Sequence, residues 1–340
     1  MHDWLNLLAD PGSIRPVPGT DESVAAARCC VDGRDLMLVW CRFDVAAGTL
    51  SVAAGERFVE ALDAAIAAGV PVVAVANSGG ARMQEGARGF VQMIAATKAV
   101  RRLRAAGLGF VVYLANPTTG GVFASWASLG HVTYAEPGAT IGFTGPRVAS
   151  ALGEAIEPAE SQTAEGLFEY GLVDDVVAPA DLRARVGDVL AVLAPPDPST
   201  DAGVPAPEPV ADGPRGWDAV VASRRDGRVR VLDALVASAT TIVELRGDHQ
   251  GVVGHAVFAG VCRIGGRSLV VIGHRPDARP GVGDLRGARR AMGVAQSLGL
   301  PVVAVVDTPA PASAGTRSSR ASPARSPGPS TPCRRCRCRR

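Results

Sequence analysis

The chain has 340 residues, with 35 Lys+Arg against 33 Asp+Glu and a formal net charge of +2. Eight of the arginines fall in residues 310–340, which contain no acid and no Val, Ile, Leu, Met or aromatic residue; residues 1–309 therefore carry 27 basic and 33 acidic groups, a net charge of −6. This excludes a nucleic-acid function read from overall charge, while a hydrophobic content of 47% supports a real core and the length allows two domains.

The opening MHDWLNLLADPGS lacks the charged-then-apolar profile of a secretory leader. No apolar run reaches the ~18 residues of a membrane span, and a cytoplasmic location is expected. Cysteines stand at 29, 30, 41, 262, 333, 336 and 338. The early ones lack zinc-ribbon spacing, so free thiols and no zinc are expected.

Apolar runs and helical periodicities then alternate. Strands are predicted over Leu36–Trp40, Val72–Ala76, Phe110–Ala115 and His131–Ala135, and helices over Glu56–Ala68, Gly89–Ala106 and Ala180–Leu193. That alternation argues for a layered α/β domain over residues 1–194. Residues 195–216, rich in Pro, Gly and acid, read as a linker. A second domain, 217–309, restarts the pattern. Gly33–Val39 (GRDLMLV) resembles Gly266–Ile272 (GRSLVVI), and Pro71–Val75 recurs unchanged as Pro301–Val305. The offsets are 233 and 230 residues, and in both copies a helix ending in Gly precedes the Pro. Two collinear matches at nearly one offset predict two domains of the same topology.

Two glycine-rich turns follow predicted strands: Asn77-Ser78-Gly79-Gly80-Ala81-Arg82, and Asn116-Pro117-Thr118-Thr119-Gly120-Gly121. Paired glycines let a ligand approach the backbone and expose N–H groups, and a following helix would add its positive dipole. Two such turns facing each other would form an oxyanion hole of backbone amides. Glycine sterics in tight turns would explain either one alone.

The segments SGGARMQEG (78–86), NPTTGGVFASWASLG (116–130), YAEPGATIGFTGPRV (134–148) and FEYGLVDDVV (168–177) resemble, in order and spacing, the β subunit of the acetyl-CoA carboxylase carboxyltransferase family, over about residues 5–190. IVELRGDHQGVVGHAVFAGVCRIGGRSLVVIGH (242–274) and GARRAMGVAQSLGLPVVAVVDTP (287–309) resemble the α subunit, over about 217–309. The resemblance implies a crotonase-like domain followed by a second, truncated one. It implies transfer of a carboxyl group from carboxybiotin, borne by a partner carrier protein, to acetyl-CoA, giving malonyl-CoA for fatty acid synthesis. A biotin carboxylase is the further partner implied, together with self-association of β and α halves; no membrane or nucleic acid is. The backbone N–H groups of Gly80, Ala81, Gly120 and Gly121 are then the enolate-stabilising set. Gly142 and Gly145 shape the floor of the acyl site, and Gly79 and Thr119 are further substrate-binding positions. Arg82 and Arg147 either meet CoA phosphates or, the favoured reading, form structural ion pairs or solvated surface charges. His131 reads as a satisfied histidine, and Glu136, before Pro137, as a turn residue.

After Asp307-Thr308-Pro309 the likeness stops. Residues 310–340 have the Pro, Ser and Arg content of a disordered tail and are compatible with a shifted reading frame. The cysteines at 333, 336 and 338 lack a second ligand pair, and the arginines lack interleaved aromatics. With the second domain incomplete, weak carboxyl transfer by the chain alone and an exposed apolar edge at Val302–Val306 are expected. Two other functions fit the same turns: a malonate or malonyl/methylmalonyl-CoA decarboxylase-type subunit, and a non-catalytic assembly partner.

Overall fold

A computed structural model describes residues 3–18, 22–151, 153, 158–194, 216–223, 225, 227–275 and 278–307. The tail expected at 310–340, and all of the expected linker except Gly216, lie outside the described residues.

In chain order, α1 (Trp4–Leu8) leads into β1 (Arg15–Pro16), β2 (Val24–Val31) and β3 (Arg34–Cys41). Next come α2 (Val52–Ala68), β4 (Val72–Ser78), α3 (Ala87–Ala105), β5 (Phe110–Thr119), α4 (Gly120–Phe123), β6 (Val132–Ala135) and β7 (Ile141–Gly142). After these stand α5 (Pro146–Ala151), α6 (Ala164–Glu169), β8 (Asp175–Val176) and α7 (Pro179–Leu193). The remainder is α8 (Trp217–Ser223), α9 (Val231–Ser238), β9 (Ala239–Glu244), β10 (Val257–Ile264), β11 (Arg267–His274), α10 (Val282–Leu298) and β12 (Val302–Val305).

An eight-stranded sheet runs β1-β2-β3-β4-β5-β6-β8, with β7 beside β5. It is antiparallel from β1 to β3 and parallel from β3 onward. Its central strands are near-continuous apolar runs because both faces are covered. Val72, Ala74 and Ala76 face the core under α2 and α3, while Val73 and Val75 face the opposite core. Phe110, Val112 and Leu114 alternate in the same way with Val111, Tyr113 and Ala115. Helix α2 starts where the Ser51 hydroxyl accepts from Ala54 N–H and stops at left-handed Gly69.

A second sheet, β12-β11-β10-β9, lies beyond α7, which touches β2 on one side and β9, β10 and β11 on the other. The sequence repeat is structural. Met37 pairs with Val72 in a parallel register, and Val270 pairs with Val302 in the same way. Met37 N–H donates to Pro71 O and Val270 N–H to Pro301 O, each at 2.9 Å. Antiparallel hairpins, β2–β3 and β10–β11, precede both pairs. Both sheets belong to one compact unit, Met1–Pro309.

The joint between the sheets is polar. Asp174, whose side chain is fully buried, accepts from Thr133 N–H (2.8 Å), Arg246 N–H (2.9 Å) and both amino groups of Arg290 (2.8 and 3.0 Å). Burial alone would push its carboxyl up; Arg290 and His249 more than reverse this and hold it well below the usual carboxylate range. Beside it Gly171 and Gly247 meet backbone to backbone. A Cβ on Gly247 would sit 2.6 Å from Gly171 Cα, and both residues have positive φ. Removing one partner of a buried pair strands the other charge. Asp174→Asn should therefore lower stability by about 3–5 kcal/mol, read as a lower denaturation midpoint in urea.

Candidate functional site

The two glycine turns leave the C-terminal ends of neighbouring parallel strands, β4 and β5, where open α/β sheets place their ligands. They touch through their backbones. A Cβ on Gly80 would meet Gly121 N at 3.0 Å and Gly120 Cα at 3.1 Å; one on Gly120 would meet Gly79 O and Gly80 Cα, both at 3.1 Å. Gly80 has φ +104° and Gly120 φ +69°, so glycine is required here both for space and for conformation.

Internal hydrogen bonds sort the four amides. Gly80 N–H donates to Ser78 Oγ (3.0 Å), and Gly120 N–H donates to Phe143 O (3.1 Å). Ala81 forms a parallel bridge with Leu50 in which Leu50 N–H donates to Gly80 O and Arg82 N–H to Leu50 O. In that pattern the N–H of Ala81 itself points to the other side. No acceptor for Ala81 N–H or Gly121 N–H occurs among the described residues. The expected set of four narrows to one free amide from each turn.

The scaffold behind these amides holds both turns in place. Ser78 Oγ donates to Gly48 O (2.6 Å), and Gly79 N–H to Ala47 O (3.0 Å). These carbonyls belong to a left-handed turn, Ala46-Ala47-Gly48, with φ of 46°, 54° and 64°. In alanine that conformation costs about 1–2 kcal/mol per residue. Thr118 Oγ1 donates to Ala76 O, and Asn77 Nδ2 to Asn116 O, stitching the second turn to the first. Sequence reasoning missed Ser78, Thr118 and the 46–48 turn; Gly48 was the available signal, since a Cβ there would lie 2.1 Å from Asn77 O.

Of the other expected site residues, Thr119 pairs with Gly142 across β5 and β7, and a Cβ on Gly145 would lie 3.8 Å from Thr119 Oγ1. Gly142 is buried beneath Gln162. These residues and Gly79 gather around the turns. Arg82 does not join them: its guanidinium faces inward to Glu22 (3.3 Å), Ser23 Oγ (3.2 Å) and Thr49 O (3.1 Å). An arginine so held fastens the 46–49 loop to the Glu22-Ser23 segment just before β2. The side chain of Arg147 lies outside the described residues. The expected helix dipoles are also weaker than the sequence suggested. After Ala81 comes a single 3₁₀ turn, Met83–Glu85, before α3, and α4 has only four residues.

His131 is buried and satisfied. Its Nδ1 accepts from Phe110 N–H (3.0 Å) and its Nε2 lies 2.9 Å from Ser297 Oγ. Burial first, then the charges of Arg104 and Arg290, hold its pKa down at about 3. Glu136 takes part in the turn, accepting from Asn116 N–H at 2.8 Å. Cys29, Cys30, Cys41 and Cys262 are free thiols, and among the described residues no three His, Cys, Asp or Glu side chains cluster to hold a metal. No described helix is long and apolar enough to cross a membrane.

A carboxyl transferase domain model matches residues 15–319. The chain is 44% identical over 304 residues to a probable biotin-dependent acyl-coenzyme A carboxylase beta3 subunit of Mycobacterium tuberculosis, covering 88% of this chain and 61% of that one. It is 35% identical over 312 residues to the acetyl-coenzyme A carboxylase carboxyl transferase subunits beta/alpha of Frankia alni, covering 86% of this chain and 51% of that one. It thus spans roughly half to three-fifths of the length of these relatives. Among solved structures, transcarboxylase 12S with hydrolysed methylmalonyl-coenzyme A bound superposes with a TM-score of 0.71 at 20% identity, over 90% of this chain and 63% of that one. The expected crotonase-like α/β fold is the fold shared with that structure.

Two measurements check this geometry. Gly80→Ala, strained in φ and pressed on Gly121 N, should cost about 1–3 kcal/mol. Gly79→Ala, whose Cβ would make only ordinary contact with Thr49, should stay within about 0.5 kcal/mol of the parent. Chemical denaturation of both variants compares them. For His131, the unfolded side chain takes up its proton near the ordinary 6.5 and the folded one only at about 3. Within that window the unfolded state binds more protons, so stability falls as pH is lowered, by up to about 1.4 kcal/mol per unit. His131→Asn should flatten the dependence between pH 6 and 5 by about one proton.

Proposed function

Because this chain belongs to the carboxyl transferase domain family, we propose that it provides the acyl-CoA half of a biotin-dependent carboxyltransferase, with acetyl-CoA as substrate and malonyl-CoA as product. The supporting observation is the pair of N–H groups, Ala81 and Gly121, left without internal acceptors where two glycine turns meet. A thioester oxygen placed between them would receive two hydrogen bonds that strengthen as the acyl group becomes an enolate. One donor of this kind is worth about 2.7–4 kcal/mol of transition-state stabilisation. Neither turn brings a paired general acid and base, and on this reading none is needed. Carboxybiotin, brought by a carrier protein and recharged by a biotin carboxylase, supplies the carboxyl group, and the proton leaving the acyl carbon goes to the ureido nitrogen freed as the new C–C bond forms.

The surroundings support a covered site. Met83, Phe90 and Phe143 are 81%, 60% and 65% exposed around the turns, an apolar rim that fits a partner subunit closing over the acyl group. The repeat in the second sheet supports reading residues 217–309 as an α-type half, with the two halves pairing between chains.

The test is the reverse reaction: acetyl-CoA formed from malonyl-CoA with free biotin as carboxyl acceptor, alongside calorimetric binding of both thioesters. Gly121→Pro removes the amide at a helix position that needs none and should lower kcat about 10²–10³-fold. Gly121→Ala keeps the amide, meets only the flexible Met93 side chain at 3.3 Å, and should retain most of the activity. Absence of thioester binding would overturn the proposal. Turnover without biotin would assign the chain to the decarboxylases, and binding without turnover in the presence of the carrier and carboxylase would make it a non-catalytic partner.

A further inference from the structure

A second cavity lies far from the glycine turns. Arg104 at the end of α3, and Arg286, Arg289 and Arg290 on α10, line a space of about 600 Å³ together with Asp248 and His249. It adjoins Gly130, next to His131, whose N–H bonds Phe110 O at the start of β5. The candidate oxyanion hole is at the other end of that ten-residue strand, about 30 Å away at the usual rise per residue.

The charges lining this cavity do not balance. Asp248 is its one acidic residue, and its carboxylate is engaged by Arg286 Nε at 2.9 Å and by the N–H groups of Gln250 and Val252. Arg290 is occupied by Asp174. Arg104 donates to a carbonyl, Leu129 O at 3.0 Å, and meets no carboxylate among the described residues. The side chain of Arg289 is exposed and has no ionic or hydrogen-bond partner among them. Burial, then repulsion from Arg290, lowers the pKa of Arg104, as expected for a cation lacking its counter-ion.

We propose that this cavity is an anion site for a pyrophosphate group, free or carried on a nucleotide, held chiefly by Arg104 and Arg289. Guanidinium groups suit this ligand because their planar fork matches phosphate oxygens two at a time, and the volume lies within the range of small-molecule sites. The charge comes from two different helices, so the ligand bridges α3 and α10. It is independent of the carboxyl-transfer reading, because neither arginine touches the glycine turns.

The experiment is calorimetric titration of the full chain with inorganic pyrophosphate and with ADP at low ionic strength. Saturable binding to one site is expected, weakening as salt is raised. Tighter binding of ADP assigns a nucleotide-borne ligand, and tighter binding of pyrophosphate assigns the free anion. Arg104→Gln and Arg289→Ala should each raise Kd at least tenfold, the second from an exposed position where the fold is not at stake. Arg102→Ala, which removes a charge from the outer face of α3 where it pairs with Asp63 at 2.7 Å, should leave Kd unchanged. No binding of either probe at millimolar concentration, unchanged Kd in both cavity variants, or an equal loss in Arg102→Ala would each overturn the proposal.

Discussion

The contact between the two sheets is organised around one buried carboxylate. Asp174 holds the backbone of β6 through Thr133 N–H, the segment after β9 through Arg246 N–H, and α10 through Arg290. An isolated carboxylate in that position would be protonated or would unfold its surroundings. Here the guanidinium opposite it, itself bonded to His131 O and Arg246 O, makes the charged form the stable one. Arginine supplies several directed donors from a single side chain, and so can tie the carboxylate to two carbonyls on different elements at once. Gly171 and Gly247 let the two backbones close to contact beside this pair, which shields it from water and strengthens it further.

The same device recurs at the candidate site. Gly80 and Gly120 also meet backbone to backbone, a Cβ on either lying 3.1 Å from the other's Cα, with positive φ in each case. At the joint the close approach secures packing. At the strand ends it brings two peptide units together edge to edge, so that an amide from each turn is left without an acceptor. The difference lies in the residue after each glycine. Ala81 is held by its neighbours' bonds to Leu50 and contributes none of its own, and Gly121 is the second residue of a one-turn helix whose early N–H groups have no acceptor within the helix. The pair of free amides is thus a by-product of how these turns terminate, supported from behind by Ser78, Thr118 and the left-handed 46–48 turn.

Much of this was legible in the sequence because it depends on local pattern. The strands over 72–76 and 110–115 and the helix over 89–106 are found within a few residues of their expected bounds, since apolar periodicity and glycine caps are properties of short segments. The facing glycine turns were legible for the same reason: paired glycines directly after a strand have few uses. What stayed hidden depends on partners distant in sequence. Arg82 turns to Glu22, 60 residues away, and nothing in SGGARMQEG distinguishes an arginine aimed at a phosphate from one aimed at a carboxylate. Asp174 is 116 residues from Arg290 and sits in DDVV beside Asp175, which forms only a half-exposed pair with Arg185. Strand β2, between β1 and β3, escapes sequence reading because Ala-rich VAAARCCV has little amplitude in hydropathy, although five of its eight residues are buried.

The repeated pentapeptide isolates the boundary between local and tertiary information. Pro71–Val75 and Pro301–Val305 are identical, both follow a helix capped by left-handed glycine, and both lay down a strand parallel to the hairpin before it. Yet Val72 and Val73 are wholly buried, while Val302 and Val303 are 42% and 36% exposed. Backbone preference, capping and register are equal in the two copies, so none of them causes the difference. It comes from β5, which covers the free edge of β4, and from the two cores that cover its faces, one holding Val72 and the other Val73; among the described residues β12 has no strand on its outer edge. Its outer edge presents unpaired peptide groups flanked by valines, a surface that folded proteins ordinarily protect. The exposure of Val302, Val303 and Val306, while Val305 is buried against the expectation for 302–306, follows from this missing neighbour rather than from any weakness in the strand.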